Sequence, residues 1–178
     1  MTATAAVPPK VLISYSHDSS AHGDRVLQLA DRLRQDGIDC TIDQYVPSPP
    51  EGWPRWMMNQ LEQSAFVLMV CTGIYHRRVR GQGEPDKGKG ADWEGAIITQ
   101  EIYDAKGRNT KFIPVILGPD DTAQIPIFVR GVAFYRVDLE EGYEQLYRRL
   151  TGQHDTPAAP LGEIKSLKPK KRLDPKNP

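Results

Sequence analysis

Residues 65–71 read "AFVLMVC", an unbroken apolar run between Ser64 and Thr72. A strand wetted on one face alternates apolar and polar side chains, so a run without a polar position has both faces covered. That is the condition of a central strand in a parallel sheet with helices on both sides. Upstream, "KVLISYS" (10–16) begins after Pro8 and Pro9, ends in the polar cluster "SHDSSAHGD", and reads as a buried first strand. From Ser19 or Ser20 onward, Val26, Leu27, Leu29, Ala30 and Leu33 have helical spacing, and Asp36-Gly37 supplies the stop. "IDCTID" (38–43) is a second strand, and the prolines of "QYVPSPPEG" make a stiff exposed loop. "WPRWMMNQLEQS" then forms a helix with Pro54 at an early position, where a missing N–H costs least.

Downstream of 65–71, Thr72 to Ala91 reads as one long loop rich in glycine and charge. A helix is predicted over 91–107, a fourth buried strand at "KFIPVIL" (111–117), a loop at "GPDDTAQIP" and a fifth strand at "VAFYRVD" (132–138). "EEGYEQLYRRLTG" closes the domain as a helix with acids at its start and arginines near its end, as the macrodipole favours. Strands alternating with helices at this spacing predict a flavodoxin-like three-layer α/β sandwich around a five-stranded parallel sheet of order 2-1-3-4-5. Ligands of such sheets sit outside the carboxyl ends, near the switch between strands 1 and 3. Residues 1–9 are expected to be a disordered N-terminus, 10–152 the folded domain, and 153–178 a Pro/Lys-rich tail or linker.

Lys plus Arg equals Asp plus Glu at 23 each, so no global field draws the chain to nucleic acid or anionic lipid, and "KPKKR" in the tail reads as a solvated charge run. There is no apolar run of about 18 residues, and "MTATAAVPPK" lacks the basic start and apolar core of a signal peptide. The expectation is a cytoplasmic protein without a membrane or nucleic-acid partner. Cys40 and Cys71 fall inside strand-like runs and read as buried thiols. His17, His22, His76 and His154 show no ligand spacing, so no metal site is expected. "GEPDKGKG" (83–90) approaches a phosphate loop but carries Gly90 where a hydroxyl should hold magnesium, and it does not directly follow its strand. Ser16, His17 and Asp18 spell a hydrolase triad, but consecutive residues cannot converge on one proton path; a polar turn before a helix is the simpler reading. Ser14, Tyr15 and Ser16 end the first strand, where their hydroxyls can either contact ribose or phosphate or cap the backbone. Trp53, Trp56 and Trp93 can pack or, for Trp53 beside the proline loop and Trp93 at a helix start, stack on a flat ring.

The helix over 91–107 poses the sharpest question. With Glu94 at zero and about 100° per residue, Ile97, Ile98, Ile102 and Ala105 fall between roughly −60° and 80°, and Glu101 at roughly −20° lies among them. Burying a lone carboxylate costs several kcal/mol, so Glu101 calls for a wet cleft, a salt bridge or a catalytic pocket. Glu94 is accounted for by the helix dipole at the first turn.

In order, "KVLISYSHDSS", "GIDCTIDQYVPSPPEGW", "SAFVLMVCTGIY" and "WEGAIITQEIYDAKGRNTKFIPVIL" resemble successive blocks of the SEFIR branch of the Toll/interleukin-receptor (TIR) superfamily, over about residues 10–152. The resemblance implies the fold reached above. It also implies an assembly loop carrying Tyr45, Val46, Pro47, Pro49 and Pro50, through which copies form a homo-oligomer or filament. Two activities follow from it: a signalling adaptor that binds its own kind, or an enzyme that cleaves NAD at the nicotinamide bond, with bacterial examples acting in suicidal defence against phage. On the second, NAD is substrate and no separate cofactor is needed. Glu101, thirteen positions ahead of Pro114, matches the glutamate that resemblance makes catalytic. Ser14, Tyr15, Ser16 and Asp43 would meet ribose or phosphate, and Trp53 or Trp93 would flank the base. The chain departs from some active members by carrying Ile97 where they have tryptophan, and Ser16 and His17 where they have basic residues. A single acid suits the chemistry: positive charge develops on the sugar, and nicotinamide leaves without negative charge. Glu101 is therefore expected to open into a hollow shared with the hydroxyls that end the first strand. A sensor domain or partner protein beyond the tail is a further expectation.

Overall fold

The computed structural model describes residues 7–82, 97–101, 104 and 109–169. Its sheet has five strands: β1 Lys10–Ser14, β2 Asp39–Thr41, β3 Phe66–Val70, β4 Phe112–Ile116 and β5 Tyr135–Arg136. All neighbours pair in parallel, in the order β2-β1-β3-β4-β5. Ser14 is level with Met69, and Met69 with Pro114, so the carboxyl ends of the three central strands are aligned.

Alternate side chains of each central strand feed different layers, which is why residues 11–13, 66–70 and 112–116 contain no polar position. Val11 and Ile13, Leu68 and Val70, and Ile113 and Val115 pack with Val26, Leu29, Leu33, Tyr143, Leu146 and Leu150. The last six lie on α1 (Ser20–Gln35) and on the final helix, α4 (Glu140–Thr151). Leu12, Val67, Met69, Phe112 and Ile116 face the other way, against Leu61, Tyr75, Val79, Ile98, Ile125 and Val129. That layer is built from α2 (Trp53–Gln63), α3 (Gly73–Val79), the helical residues 97–101 and 3-10 turns at Pro119–Gln124 and Ile127–Val129. The three-layer sandwich of the predicted order is thus observed.

Local chemistry sets the ends. Ser19 caps α1 by accepting from the His22 amide at 3.1 Å, and Gly37 follows it at φ 89°. α4 leaves through Gly152 at φ 69°. Gly142 has no room for a side chain: a Cβ there would lie 2.8 Å from the carbonyl carbon of Arg136, so glycine lets α4 close onto β5.

Several boundaries correct the sequence reading. The segment from Thr72 is not one loop, because Thr72 accepts from the Tyr75 amide at 3.1 Å and starts α3, whose Tyr75 and Val79 are buried. "GPDDTAQIP" contains a 3-10 turn rather than irregular loop. β2 and β5 are shorter than 38–43 and 132–138, as suits the two edges of the sheet, and Phe134 is 42% exposed. Residues 153–169 carry no helix or strand and are exposed throughout. Among the described residues no helix is long and apolar enough to cross a membrane. Cys40 and Cys71 are buried free thiols, each pushed up to about 12 by burial.

Candidate functional site

Polar side chains converge beyond the carboxyl ends of β1 and β3, the place the strand order marks for a ligand. Ser14, at 2% exposure, shares a 2.8 Å hydrogen bond with the Tyr75 hydroxyl from α3. Ser16, at 1%, donates to Asp18 and lies 3.3 Å from the Thr72 hydroxyl. Tyr15 donates to Asp43 Oδ1 at 2.7 Å and accepts from Gln44 Nε2 at 2.8 Å. The His17 imidazole meets the other Asp43 oxygen, with Nε2 2.8 Å from Oδ2, and its ring lies 5.0 Å from that of Tyr15.

These contacts set the charge states. Burial works against the Asp43 carboxylate, yet the hydrogen bonds from His17 and Tyr15 outweigh it and hold its pKa below the usual value. His22, beside Tyr15, carries a buried Nε2 without a hydrogen-bond partner among the described residues, and burial lowers its pKa. Burial raises the pKa of Asp121, which interacts with His22 and Arg25. Arg25 donates to the Leu117 carbonyl at the end of the β4 run, and His76 Nδ1 is 2.9 Å from the Gln124 carbonyl. The result is two networks in this region, the Ser14, Ser16, Thr72 and Tyr75 hydroxyls with Asp18, and the Asp43 carboxylate held by Tyr15 and His17.

Of the residues singled out in the sequence, Tyr15 and Asp43 are brought into direct contact, while Ser14 and Ser16 engage Tyr75, Thr72 and Asp18 instead. Trp53 begins α2 at 43% exposure with its ring edge-on to Trp56, centroids 5.6 Å apart. Trp93, Glu94 and the near-phosphate loop at 83–90 lie outside the described residues. In the proline loop, Pro47 and Pro50 are exposed, Val46 is half-buried and Pro49 is buried. Tyr45 is half-buried and tied to α1, donating to Asp31 at 2.6 Å.

Glu101 is elsewhere. Its helical turn has the predicted orientation: Ile98 is buried while Thr99, Gln100 and Asp104 are exposed. The Glu101 carboxylate, a third exposed, lies 3.6 Å from Lys111 Nζ, and the same ammonium donates to the Leu61 carbonyl near the end of α2. Lys111 precedes β4 by one residue and stands three before Pro114, so its backbone is roughly 10 Å back along the strands from the level of Ser14. The expected hollow shared by Glu101 and the first strand's hydroxyls is not formed among the described residues. The salt bridge, one of the open alternatives, is what the geometry provides.

Thr72, Tyr75, Asp18, His22 and Gln44 were missed as site residues. Thr72 had a signal, since it follows the third strand by two residues just as Ser16 follows the first. The Tyr75 hydroxyl had none without α3 in place.

A model of the TIR domain family matches residues 11–151. Among solved structures, a prokaryotic SEFIR domain is similar at 26% identity and TM-score 0.61, covering 87% of this chain and 99% of that one. The TIR domain of a Toll-related receptor from Hydra magnipapillata is similar at 15% identity and TM-score 0.55, covering 79% and 97%. The SEFIR domain of interleukin-17 receptor B is similar at 14% and 0.55, covering 82% and 97%. The last two bear on the fold alone. No curated protein matches the chain.

Proposed function

This chain belongs to the TIR domain family, and we propose that it is an effector that cleaves NAD at the nicotinamide bond once copies of it have associated. The observations that support this are the Ser14, Ser16 and Thr72 hydroxyls at the carboxyl ends of β1 and β3 and the ionised Asp43 carboxylate, held by Tyr15 and His17 of the same β1–α1 turn. Hydroxyls there match ribose and phosphate oxygens, and a negative charge suits the positive charge that develops on the sugar as nicotinamide departs. Association runs through exposed Pro47 and Pro50 with the neighbouring Trp53 and Met58, 43% and 40% exposed. Defence against phage is the setting proposed for the activity, and cellular NAD is expected to fall on infection.

A second reading, a non-enzymatic adaptor working through the same homotypic contacts, is favoured by one observation. Glu101, the acid proposed for catalysis, is engaged with Lys111 at the amino-terminal side of the sheet. One experiment separates the two. The protein is assembled with a tethering tag, its association is verified by sedimentation, and free nicotinamide is measured after incubation with NAD. Release that falls at least a hundredfold in Glu101→Gln supports the enzyme with that acid. Release that survives Glu101→Gln but not Asp43→Asn moves the chemistry to the described cluster. No release from a verified assembly overturns the enzymatic reading and leaves the adaptor.

A further inference from the structure

We infer that Asp43 couples the proline loop to the carboxyl-end site, so that ligand binding and self-association favour one another through a single carboxylate. The two events coupled are those of the proposed function; the tie itself is read from contacts. Asp43 opens the 3-10 turn Asp43–Tyr45, the root from which the loop departs. Its two oxygens are held by two residues of the β1–α1 turn, Oδ1 by the Tyr15 hydroxyl at 2.7 Å and Oδ2 by the His17 imidazole at 2.8 Å. The next residue, Gln44, reaches back to the Tyr15 hydroxyl at 2.8 Å and to the Gly23 carbonyl of α1 at 3.0 Å. The third, Tyr45, donates to Asp31.

Beyond this root, the hydrogen bonds of the described loop are its own: the Val46 amide to the Asp43 carbonyl at 2.9 Å, and the Gly52 amide to the Pro49 carbonyl at 3.0 Å. Among the described residues, the loop's hydrogen bonds to the rest of the domain are therefore made at residues 43–45, and buried Pro49 adds a packing contact. Tyr15 and His17 are also groups that a ligand over the β1 end would meet, since they continue the strand past Ser14. A ligand that draws on either must re-aim a bond to Asp43, and the change passes into the turn. In the other direction, a neighbouring copy seated on the loop fixes the turn and pre-organises both side chains. Coupling of this kind is reciprocal in binding, so each event must strengthen the other by one factor.

The test follows amide hydrogen exchange of residues 44–51 in the full chain, with ADP-ribose as the probe and sedimentation equilibrium for association. Asp43→Asn is expected to speed loop exchange roughly tenfold, the loss of about one charge-assisted bond, while the β1 and β3 amides stay protected. ADP-ribose should slow loop exchange and strengthen association in the wild type, and do neither in Asp43→Asn. Tyr15→Phe, which removes the Oδ1 bond and the Gln44 bond but leaves His17 on Oδ2, should shift loop exchange in the same direction and serves if Asp43→Asn does not fold. Loop exchange that ignores both substitutions, or that responds to ADP-ribose equally in Asp43→Asn, overturns the inference, as does a wild type that binds no ADP-ribose. Failure of NAD cleavage is a separate result, because neither readout needs turnover.

Discussion

Replacing Glu101 by glutamine, alone and together with Lys111→Met, tests whether the acid serves the fold or awaits a different role. At 3.6 Å the gross attraction between the two charges runs from about 1 kcal/mol in bulk water to about 5 kcal/mol at an effective dielectric of 20. Neither limit applies, because the side chains are 34% and 26% exposed and Lys111 retains the Leu61 carbonyl when its partner is lost. Screening should bring the coupling down to about 0.5–1 kcal/mol. Glu101→Gln is then expected to lower the melting temperature by about 1–4 °C. The assay is urea unfolding of the wild type, both single variants and the double variant, at low salt and at 1 M NaCl. A coupling within that range that shrinks at high salt identifies a partly wet, structural ion pair. Zero coupling at low salt would mean that the carboxylate is not held by Lys111, and about 3 kcal/mol or more would mean that the pair is sealed from water. Either result refutes the reasoning.

Three further expectations follow from the contacts. Gly142→Ala gains about 1 kcal/mol of helix propensity but drives a methyl into the Arg136 backbone, so a net loss of about 1–2 kcal/mol is expected from overpacking; a raised melting temperature would contradict it. Thr72→Val removes the cap of α3 and a hydroxyl neighbour of Ser16, and should cost about 1–2 kcal/mol by denaturation, with Thr72→Ser restoring most of it. Stability should also fall in acid through two groups of the site. Asp43 has a folded pKa below its unfolded value, so its contribution is present above about pH 4 and is lost as pH falls through the lower folded value. His22 is likewise depressed, so below about pH 6.5 the unfolded chain takes up the proton first and stability declines. His22→Gln should remove that neutral-to-acid share of the slope in pH-dependent melting; an unchanged slope rejects the assignment.

The parts of this fold that were legible in sequence are those where periodicity carries the information. Residues 65–71 and 112–117 have no polar break because alternate side chains enter different layers, and that fixes them as central strands. The two edge strands, β2 and β5, are covered less completely and pair over only three and two residues, so apolar composition overstated them. α3 was overlooked because arginines and a histidine crowd its last turns, although they suit a helix C-terminus and only Tyr75 and Val79 need burial.

The site divides the same way. Residues that follow a strand inherit a position from the sheet, so Ser14, Tyr15, Ser16 and Asp43 could be placed at its carboxyl ends before any contact was known. Glu101 had no such constraint. Helical periodicity gives the angle of a side chain about its axis but not the end of the sheet beside which it lies, because that depends on where the preceding connection sets the helix down. Glu101 stands ten residues ahead of Lys111, and its ion pair with that residue, just ahead of β4, places it away from the carboxyl ends. The angle was right and the height was not. The strands themselves deliver carboxylates to the switch point, Asp18 after β1, on Ser16, and Asp43, two residues past β2, on Tyr15 and His17. Chemistry that needs an anion beside a ribose therefore has one there without any movement of the helix that holds Glu101, which makes comparison of Asp43→Asn with Glu101→Gln the decisive measurement for the reaction.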